Sequence, residues 1–408
     1  MVTNLSYAYK GRDSSGKMVK GKVDAATEGA VASRLRTMGV SPISIQEAGS
    51  TGLQREISLG SLKEKVPLKD LAIMSRQMAT MISSGLSLLK TLTILTQQTE
   101  NKHLAKILQL STKDVENGMA LSEAIARHGE SIPPIMINLI RAGEVGGFLD
   151  ESLETVAKNF ESEVKLKATI KSALTYPVIV LIMALVAVVA MLLFIVPVFK
   201  TMFEGLGGTL PLPTAFLVWL SGVMTYAAPV LIVAGIVFTA WWQKNKNTDR
   251  VRQVVDPLKI RLPVFGELFK KIAVARFARN FSSMMGAGVP ILQILQIVGD
   301  TSGNYVVEEA LKKVAESVRQ GKSIAEPLSQ ATVFPPMVTQ MIAVGEDAGA
   351  LEQMLSKIAD FYDDEVQSAT EQLTAMIEPL MIAFLGVVVG GMIVALYLPI
   401  FNIFTLIE

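Results

Sequence analysis

The hydrophobic pattern along the chain changes character several times. From residue 67 to 171, and again from 272 to 375, apolar residues recur at helical spacing with charges between them. Leu71, Met74, Met78, Met81 and Ile82 share one such face, read as ordinary core. Elsewhere the charges vanish. Ser172 to Phe199, Pro213 to Gln243 and Pro379 to Ile407 contain no Asp, Glu, Lys or Arg. At about 1.5 Å rise per residue, roughly 20 residues cross a hydrocarbon core of about 30 Å, so each stretch predicts a membrane span.

Residues 1–50 follow a third pattern. Tyr7 to Tyr9, Val19 to Val23 and Ile43 to Ile45 read as short strands, and Glu28 to Met38 reads as a helix ended by Gly39. This predicts a small β-β-α-β module, followed by a polar linker over 51–66. Within 67–171 the breaks at Gly85, between Gln98 and His103, and at Gly118, Pro133-Pro134 and Gly146-Gly147 divide the pattern into six helices, the last running into the first span. The predicted order is therefore a bundle over 67–171, a span over 172–199, an external loop over 200–212 and a span over 213–243. A connector over 244–271, a second bundle over 272–375 and a last span over 376–408 complete it. The fold class is an all-α membrane protein with two repeated six-helix cytoplasmic bundles, three transmembrane helices and a small N-terminal α/β module.

The two bundle-and-span segments are copies of each other. Met81 to Leu92, with Gly85, matches Met284 to Leu295, with Gly288, 203 positions on; Arg76 then matches Arg279. After one deletion the offset is 202. Gly143-Glu144 and Gly147 match Gly345-Glu346 and Gly349, Tyr176-Pro177 matches Glu378-Pro379, and Pro197-Val-Phe199 matches Pro399-Ile-Phe401. The repeat explains the odd number of spans. Each copy ends by crossing outward, and the middle span returns the chain, so the copies are parallel rather than inverted.

Charge orients this arrangement. Every one of the 38 Lys and Arg residues except Lys200 lies in 1–171 or 244–375. Lys165, Lys167 and Lys171 precede the first span, and Lys244, Lys246 and Arg250 follow the second, so both bundles are predicted to be cytoplasmic and the C-terminus external. Trp241 and Trp242 fit an anchor at the inner interface. Met1 to Lys10 has no apolar core, so the first span is expected to act as the insertion signal.

Composition removes most chemistry. There is no Cys, and His103 and His128 are the only histidines. Neither recurs in the second copy, and both read as surface residues with no Ser or Asp in a triad-like context. A net charge of +1 gives no case for nucleic acid. Gly321-Lys322-Ser323 resembles the end of a P-loop, but Glu316 stands where the phosphate-cradling loop needs Gly. No catalytic residue, cofactor or metal site is predicted. Glu144 and Glu346 read equally well as carboxylates capping a following helix and as contacts for a partner or metal. Glu378, at the inner edge of the last span, is a functional candidate by its depth or an interfacial carboxylate reaching water. Pro177, Pro197, Pro379 and Pro399 are expected to kink or end helices, and Gly386-Val-Val-Val-Gly390 to pack closely on another helix.

The duplicated pattern of Arg, Gly-[Leu/Val]-x-Leu-Leu, Gly-Glu-x-x-Gly-x-Leu, [Tyr/Glu]-Pro and Pro-[Val/Ile]-Phe resembles the inner-membrane platform proteins of type IV pilus assembly and type II secretion. The opening Tyr7-x-Tyr9-x-Gly11-x-Asp13-x-x-Gly16, with Leu35-Arg36-x-x-Gly39, and Leu210-Pro211-x-Pro213 resemble them too. The resemblance implies a bacterial inner-membrane protein without catalysis of its own. It also implies partners: a hexameric assembly ATPase on the cytoplasmic side, pilin or pseudopilin subunits in the membrane, other inner-membrane assembly proteins, lipid, and further copies in a homo-oligomer. A second reading, a solute transporter or channel, would need polar groups in mid-membrane. The middle span offers only Ser221, Thr225, Tyr226 and Thr239.

Overall fold

A computed structural model describes residues 5–12, 18–25, 28–47, 66–205 and 210–404. The linker expected over 51–66 lies almost wholly outside them, as do Asp13, Gly16 and the last residues of the third span. The chain divides into two units, Met1–Glu64 and Lys65–Glu408.

The first unit has strands β1 (Leu5–Arg12) and β2 (Met18–Ala25), helix α1 (Glu28–Thr37) and strand β3 (Ser41–Glu47). The sheet is antiparallel in the order β2-β1-β3, with Tyr9 opposite Gly21 on one side and Ile45 on the other. Period-2 alternation puts Tyr7 on the face that α1 covers with Val31 and Leu35, and these side chains make a small core. Tyr9 packs over Gly21: a Cβ there would lie 2.9 Å from the Tyr9 ring, which would have to shift.

In the second unit, α2 (Leu68–Ser83), α3 (Leu88–Gln98), α4 (Lys102–Glu116), α5 (Leu121–Ala126) and α6 (Pro134–Gly146) precede a long helix α7 (Leu149–Ala190). A π-helical turn, Met191–Ile195, joins α7 to α8 (Val196–Gly205). Helix α9 (Leu212–Asn245) returns to α10 (Asp249–Arg261). Then α11 (Phe265–Gly286), α12 (Ile291–Thr301), α13 (Tyr305–Arg319), α14 (Ala325–Ser329) and α15 (Pro336–Asp347) lead to α16 (Leu351–Phe404). The order α11 to α16 repeats the order α2 to α7, and Pro134 and Pro336 open the matching helices α6 and α15.

Three helices are long and apolar enough to cross a membrane: Leu149–Gly205, α9 and α16. The first continues past Phe199 to Gly205, so the loop expected over 200–212 is shorter than predicted. The 244–271 segment is likewise no simple connector, because it holds α10 and the first turns of α11. Pro177, Pro379 and Pro399 sit inside continuous helices and end none of them. Only Pro197 coincides with a change of helical register.

The buried side chains of α2–α7 and α11–α16 form one contiguous apolar cluster, from Leu71, Met78 and Leu95 to Phe277, Phe281 and Ile342. Polar bonds also tie the two copies together. Asn159 of α7 donates to Asn280 of α11 at 3.0 Å, Gln293 of α12 to Asn138 of α6 at 2.8 Å, and Arg276 pairs with Glu163 at 2.7 Å.

Candidate functional site

The repeated residues occupy equivalent positions in both copies. Gly85 and Gly288 end α2 and α11, and Gly147 and Gly349 follow α6 and α15; all four have φ between 66° and 84°. That left-handed conformation costs a side chain about 1 kcal/mol and costs glycine little. Gly143 and Gly345 serve packing instead. A Cβ on Gly143 would fall 2.5 Å from Ser152 Oγ, and one on Gly345 3.0 Å from the Leu351 Cα. The absent side chains let the α6–α7 and α15–α16 pairs turn back at close range.

Beside these glycines, Glu144 and Glu346 reach across to the short helices. Glu144 Oε1 accepts from Leu121 N at 2.5 Å and Oε2 from Ser122 N at 3.0 Å. Glu346 accepts from Ile324 N at 2.8 Å, from Ala325 N at 3.4 Å and from Ser323 Oγ at 2.8 Å. Both carboxylates are therefore caps, but of the preceding short helices α5 and α14 and not of a following helix. The reason is tertiary: α6 packs on α5 and α15 on α14, bringing residues more than 20 positions apart together. Helices α5 and α14 have too few residues to be stable alone, and charge at their exposed N–H groups offsets that weakness.

Arg76 and Arg279 also act alike. Arg76 on α2 forks to Glu161 through Nε and Nη2, both at 2.6 Å, and reaches Glu154 at 2.5 Å through Nη1; both carboxylates are on α7. Arg279 on α11 reaches Asp363 at 2.5 Å and Asp360 at 2.9 Å, both on α16. Glu161 and Asp363 are 202 positions apart, so one bridge is conserved between the copies. Its electrostatics are not. Arg76 holds Glu154 and Glu161 below the usual carboxylate range. Burial pushes Asp363 above it, more than Arg279 pulls it down. Arg279 lies at the centre of a polar cleft between α7, α11 and α16, with two lobes of about 290 and 400 Å³ lined by Ser162, Lys165, Asp363 and Ser283 among others.

In the membrane part, Pro197 and Pro399 account for two polar contacts of α9. Proline has no N–H, so the carbonyl it would pair with is freed and needs another donor in lipid. In the π-turn Val196 N bonds to Met191 O, so the register assigns Leu192 O to Pro197. Ser221 of α9 donates its hydroxyl to Leu192 O at 2.5 Å. In α16 the ordinary register assigns Ala395 O to Pro399, and Thr214 of α9 donates to Ala395 O at 2.5 Å. Thr214 and Ser221 are one heptad apart on one face of the return span, and each serves the proline of one copy. Ser221→Ala is expected to cost about 1 kcal/mol in lipid. In a Pro197→Ala background the cost should fall towards zero, which thermal unfolding of the four chains in nanodiscs would read as a coupling energy. Additive losses would reject the assignment.

Beyond Ser221, α9 makes little contact with the other spans. From Gly222 to Asn245 no residue of α9 is buried. On the bundle side, α7 and α16 meet around Pro177, which is buried, and Thr374 Oγ1 lies a long 3.5 Å from Ala173 O, the carbonyl freed by Pro177. A groove of about 50 Å³ runs there between Tyr176, Val180, Met381 and Leu385, with Glu378 at its side and Pro379 beside it in sequence. Glu378 is exposed, and no hydrogen bond or ion pair engages it among the described residues. Gly386 and Gly390 pack on nothing: no atom lies within 4 Å of a Cβ built on either, so the expected close helix contact is not made within this chain.

His103 corrects another expectation. Its Nε2 lies 2.9 Å from Ser131 Oγ, half-buried, so it does have a serine neighbour, one brought from 28 positions away by the α5–α6 turn. His128 lies in that turn and not on a helix. No cluster of three or more His, Cys, Asp or Glu suited to a metal occurs among the described residues.

Sequence comparison matches this architecture to known proteins. The family model described as type II secretion system (T2SS), protein F, matches residues 74–197 and again 277–399, and that of the protein F N-terminal domain matches residues 5–46. The two matches start 203 and end 202 positions apart, the offsets of the internal repeat. The type IV pilus assembly protein PilC of Thermus thermophilus is 45% identical over 97% of this chain and 98% of its own length. PilC of Myxococcus xanthus is 40% identical over 97% and 94%. The type II secretion system protein F of Vibrio cholerae is 29% identical over 97% of each. The chain belongs to the type II secretion system protein F family.

Proposed function

We propose that this chain is the inner-membrane platform of a type IV pilus assembly machine. One observation carries the choice over secretion. Relatives named for type IV pilus or type 4 fimbrial assembly are 45%, 40%, 36%, 35% and 32% identical to it, and relatives named for type II secretion 30%, 29% and 27%. In this reading residues 67–171 and 272–375 are cytoplasmic bundles that meet a hexameric ATPase, and the C-terminus faces outward. The nearly complete confinement of Lys and Arg to 1–171 and 244–375 supports that orientation. Mechanical load enters through the bundles. It passes to the membrane along α7 and α16, each of which is continuous from bundle to span.

The groove at Glu378 is where a pilin segment would meet the platform. An exposed carboxylate at that depth suits a positively charged group on an otherwise apolar helix. The test is complementation of a platform deletion in the native host. Wild type should restore surface pili, and Glu378→Gln should restore the protein in the membrane but reduce pili about tenfold or more, with Glu378→Asp close to wild type. Loss of photocrosslinking from position 382 to pilin in Glu378→Gln would accompany it. Full piliation by Glu378→Gln would remove the groove from the mechanism. Restoration of protein secretion without pili would favour the type II secretion reading.

A further inference from the structure

Helix α10 is amphipathic the wrong way round for a helix in water. Its face towards α11 and α13 carries Arg252, Asp256 and Ile260, which recur every four residues. Asp256 is buried, accepts from Tyr305 N at 3.0 Å and pairs with Lys259 at 2.9 Å, while Arg252 pairs with Glu308 at 2.9 Å. The opposite face carries Val254 and Leu258, which are 69% and 58% exposed, and Leu262 just beyond the helix is 41% exposed. A helix facing only water would bury the aliphatic stripe and expose the charged one.

Both ends of α10 are held at the bilayer. Its first residue, Asp249, follows the end of α9 at Asn245 by one short turn, and Trp241 and Trp242 stack with Phe238 in the last turns of α9. At the other end, Phe265 joins the apolar cluster that contains Leu174 and Ile377, which belong to the membrane ends of α7 and α16. The corner between α10 and α11 is stiff. Phe265 N donates to Pro263 O at 2.8 Å around Val264, whose φ is 68°, a γ-turn that a β-branched residue adopts only under constraint. A Cβ on Gly266 would lie 2.3 Å from Ile260 O, so the helices close on each other without slack. A helix tied at both ends to the membrane surface lies along that surface, and the stripe of Val254, Leu258 and Leu262 is the face left over.

The charges beside the stripe match one kind of surface. Arg250 and Arg261 flank Val254 and Leu258 on the exposed face, Lys244 lies in the last turn of α9, and Lys246 follows it in the turn before α10. None of the four has an acidic partner among the described residues, whereas Arg252 and Lys259 are used internally. We infer that α10 is an interfacial helix that seats Val254, Leu258 and Leu262 in the bundle-side leaflet and binds anionic phospholipid headgroups through Arg250, Arg261, Lys244 and Lys246. It fixes the height of the second bundle above the membrane. The inference needs the spans but not the pilus reading.

The chain has no Cys, so single cysteines report cleanly. Spin labels would be placed at Val254→Cys and Leu258→Cys, with Lys313→Cys on exposed α13 as the aqueous reference, in the full chain in nanodiscs. In discs containing phosphatidylglycerol, the labels at 254 and 258 should collide with oxygen in preference to a water-soluble nickel chelate, and the label at 313 the reverse. Replacing phosphatidylglycerol with phosphatidylcholine, or introducing Arg250→Gln with Arg261→Gln, should reduce the seated population about fivefold per lost contact. Labels at 254 and 258 as accessible to nickel as 313 in phosphatidylglycerol discs would overturn the inference. So would equal seating in both lipids, or protection that appears only in discs holding two copies, which would make the face a contact between chains.

Discussion

Glu346→Ala is expected to lower the stability of the helical unit by about 3 kcal/mol. The carboxylate accepts two backbone N–H groups and a serine hydroxyl, and a charged hydrogen bond contributes roughly 1.5–3 kcal/mol when its donor is otherwise left unpaired. Ser323 Oγ recovers part of the loss, because it also accepts from Ala325 N at 3.1 Å. Glu144→Ala should cost about as much, since Leu121 N and Ser122 N have no second side chain to turn to. Glu346→Gln keeps an acceptor oxygen and should lose about half as much. Thermal unfolding in detergent measures the total, and hydrogen exchange locates it. The amides of Ile324 and Ala325 should lose protection before those of α13. Unchanged exchange at those amides in Glu346→Ala would show that the cap carries no load.

Arg279→Met is expected to cost about 2–3 kcal/mol, and Arg76→Met about 1 kcal/mol or less, although both remove a bridge from the first helix of a copy to its long helix. The difference is solvent. Arg76, Glu154 and Glu161 are each more than a third exposed, where ion pairs contribute little, and the fork of Arg76 onto Glu161 is what retains some value. Arg279 sits deeper beside a carboxylate whose charge is already penalised by burial, and its removal leaves Asp363 without its cation.

The pH dependence separates the two cases. Glu154 and Glu161 have folded values below their unfolded ones, so their contribution is complete above the ordinary carboxylate range and is lost as pH falls through the folded values. Asp363 has a folded value above its unfolded one, so ionising it costs stability and the folded state gains as pH falls through that value. The gap between wild type and Arg76→Met should therefore persist until pH drops below the ordinary carboxylate range. The gap for Arg279→Met should begin to close at higher pH than that, because burial raises the folded value of Asp363 and the lone carboxylate takes up a proton above the ordinary carboxylate range. Urea midpoints across pH would show two displaced curves. Identical curves would mean that the cleft around Arg279 is as well solvated as the exposed bridge.

Much of this was legible from periodicity and repetition. Helical spacing, charge-free stretches and the doubled Gly and Pro positions were enough to lay out the order of helices and spans. What each repeated residue touches was not. Glu144 reads equally as a cap for the helix after it and as a contact for a partner or metal, because sequence proximity is the only neighbourhood a sequence displays; its partners lie 22 and 23 positions before it. His103 had no visible serine for the same reason. Glu161 and Asp363 were findable, since they stand at the repeat offset beneath two matched arginines, but a lone acidic residue on a long helix carries no signal until its partner is known. In the sequence Ser221 is only one of four polar groups in the middle span. The freed carbonyls that give it work belong to other helices.

The duplication, the three spans and the family are properties of this sequence. Hydrophobic length and repeated glycine and proline positions are local or periodic, so they can be read along one dimension. Tertiary structure alone decided that Thr214 and Ser221 close the prolines of both copies, that Glu378 stands free beside a groove, and that α10 turns its aliphatic face outward. Each of those depends on which surfaces meet. Orphaned carbonyls, unpaired carboxylates and exposed stripes are defined by the partners they have or lack, and partners are assigned only when the helices pack.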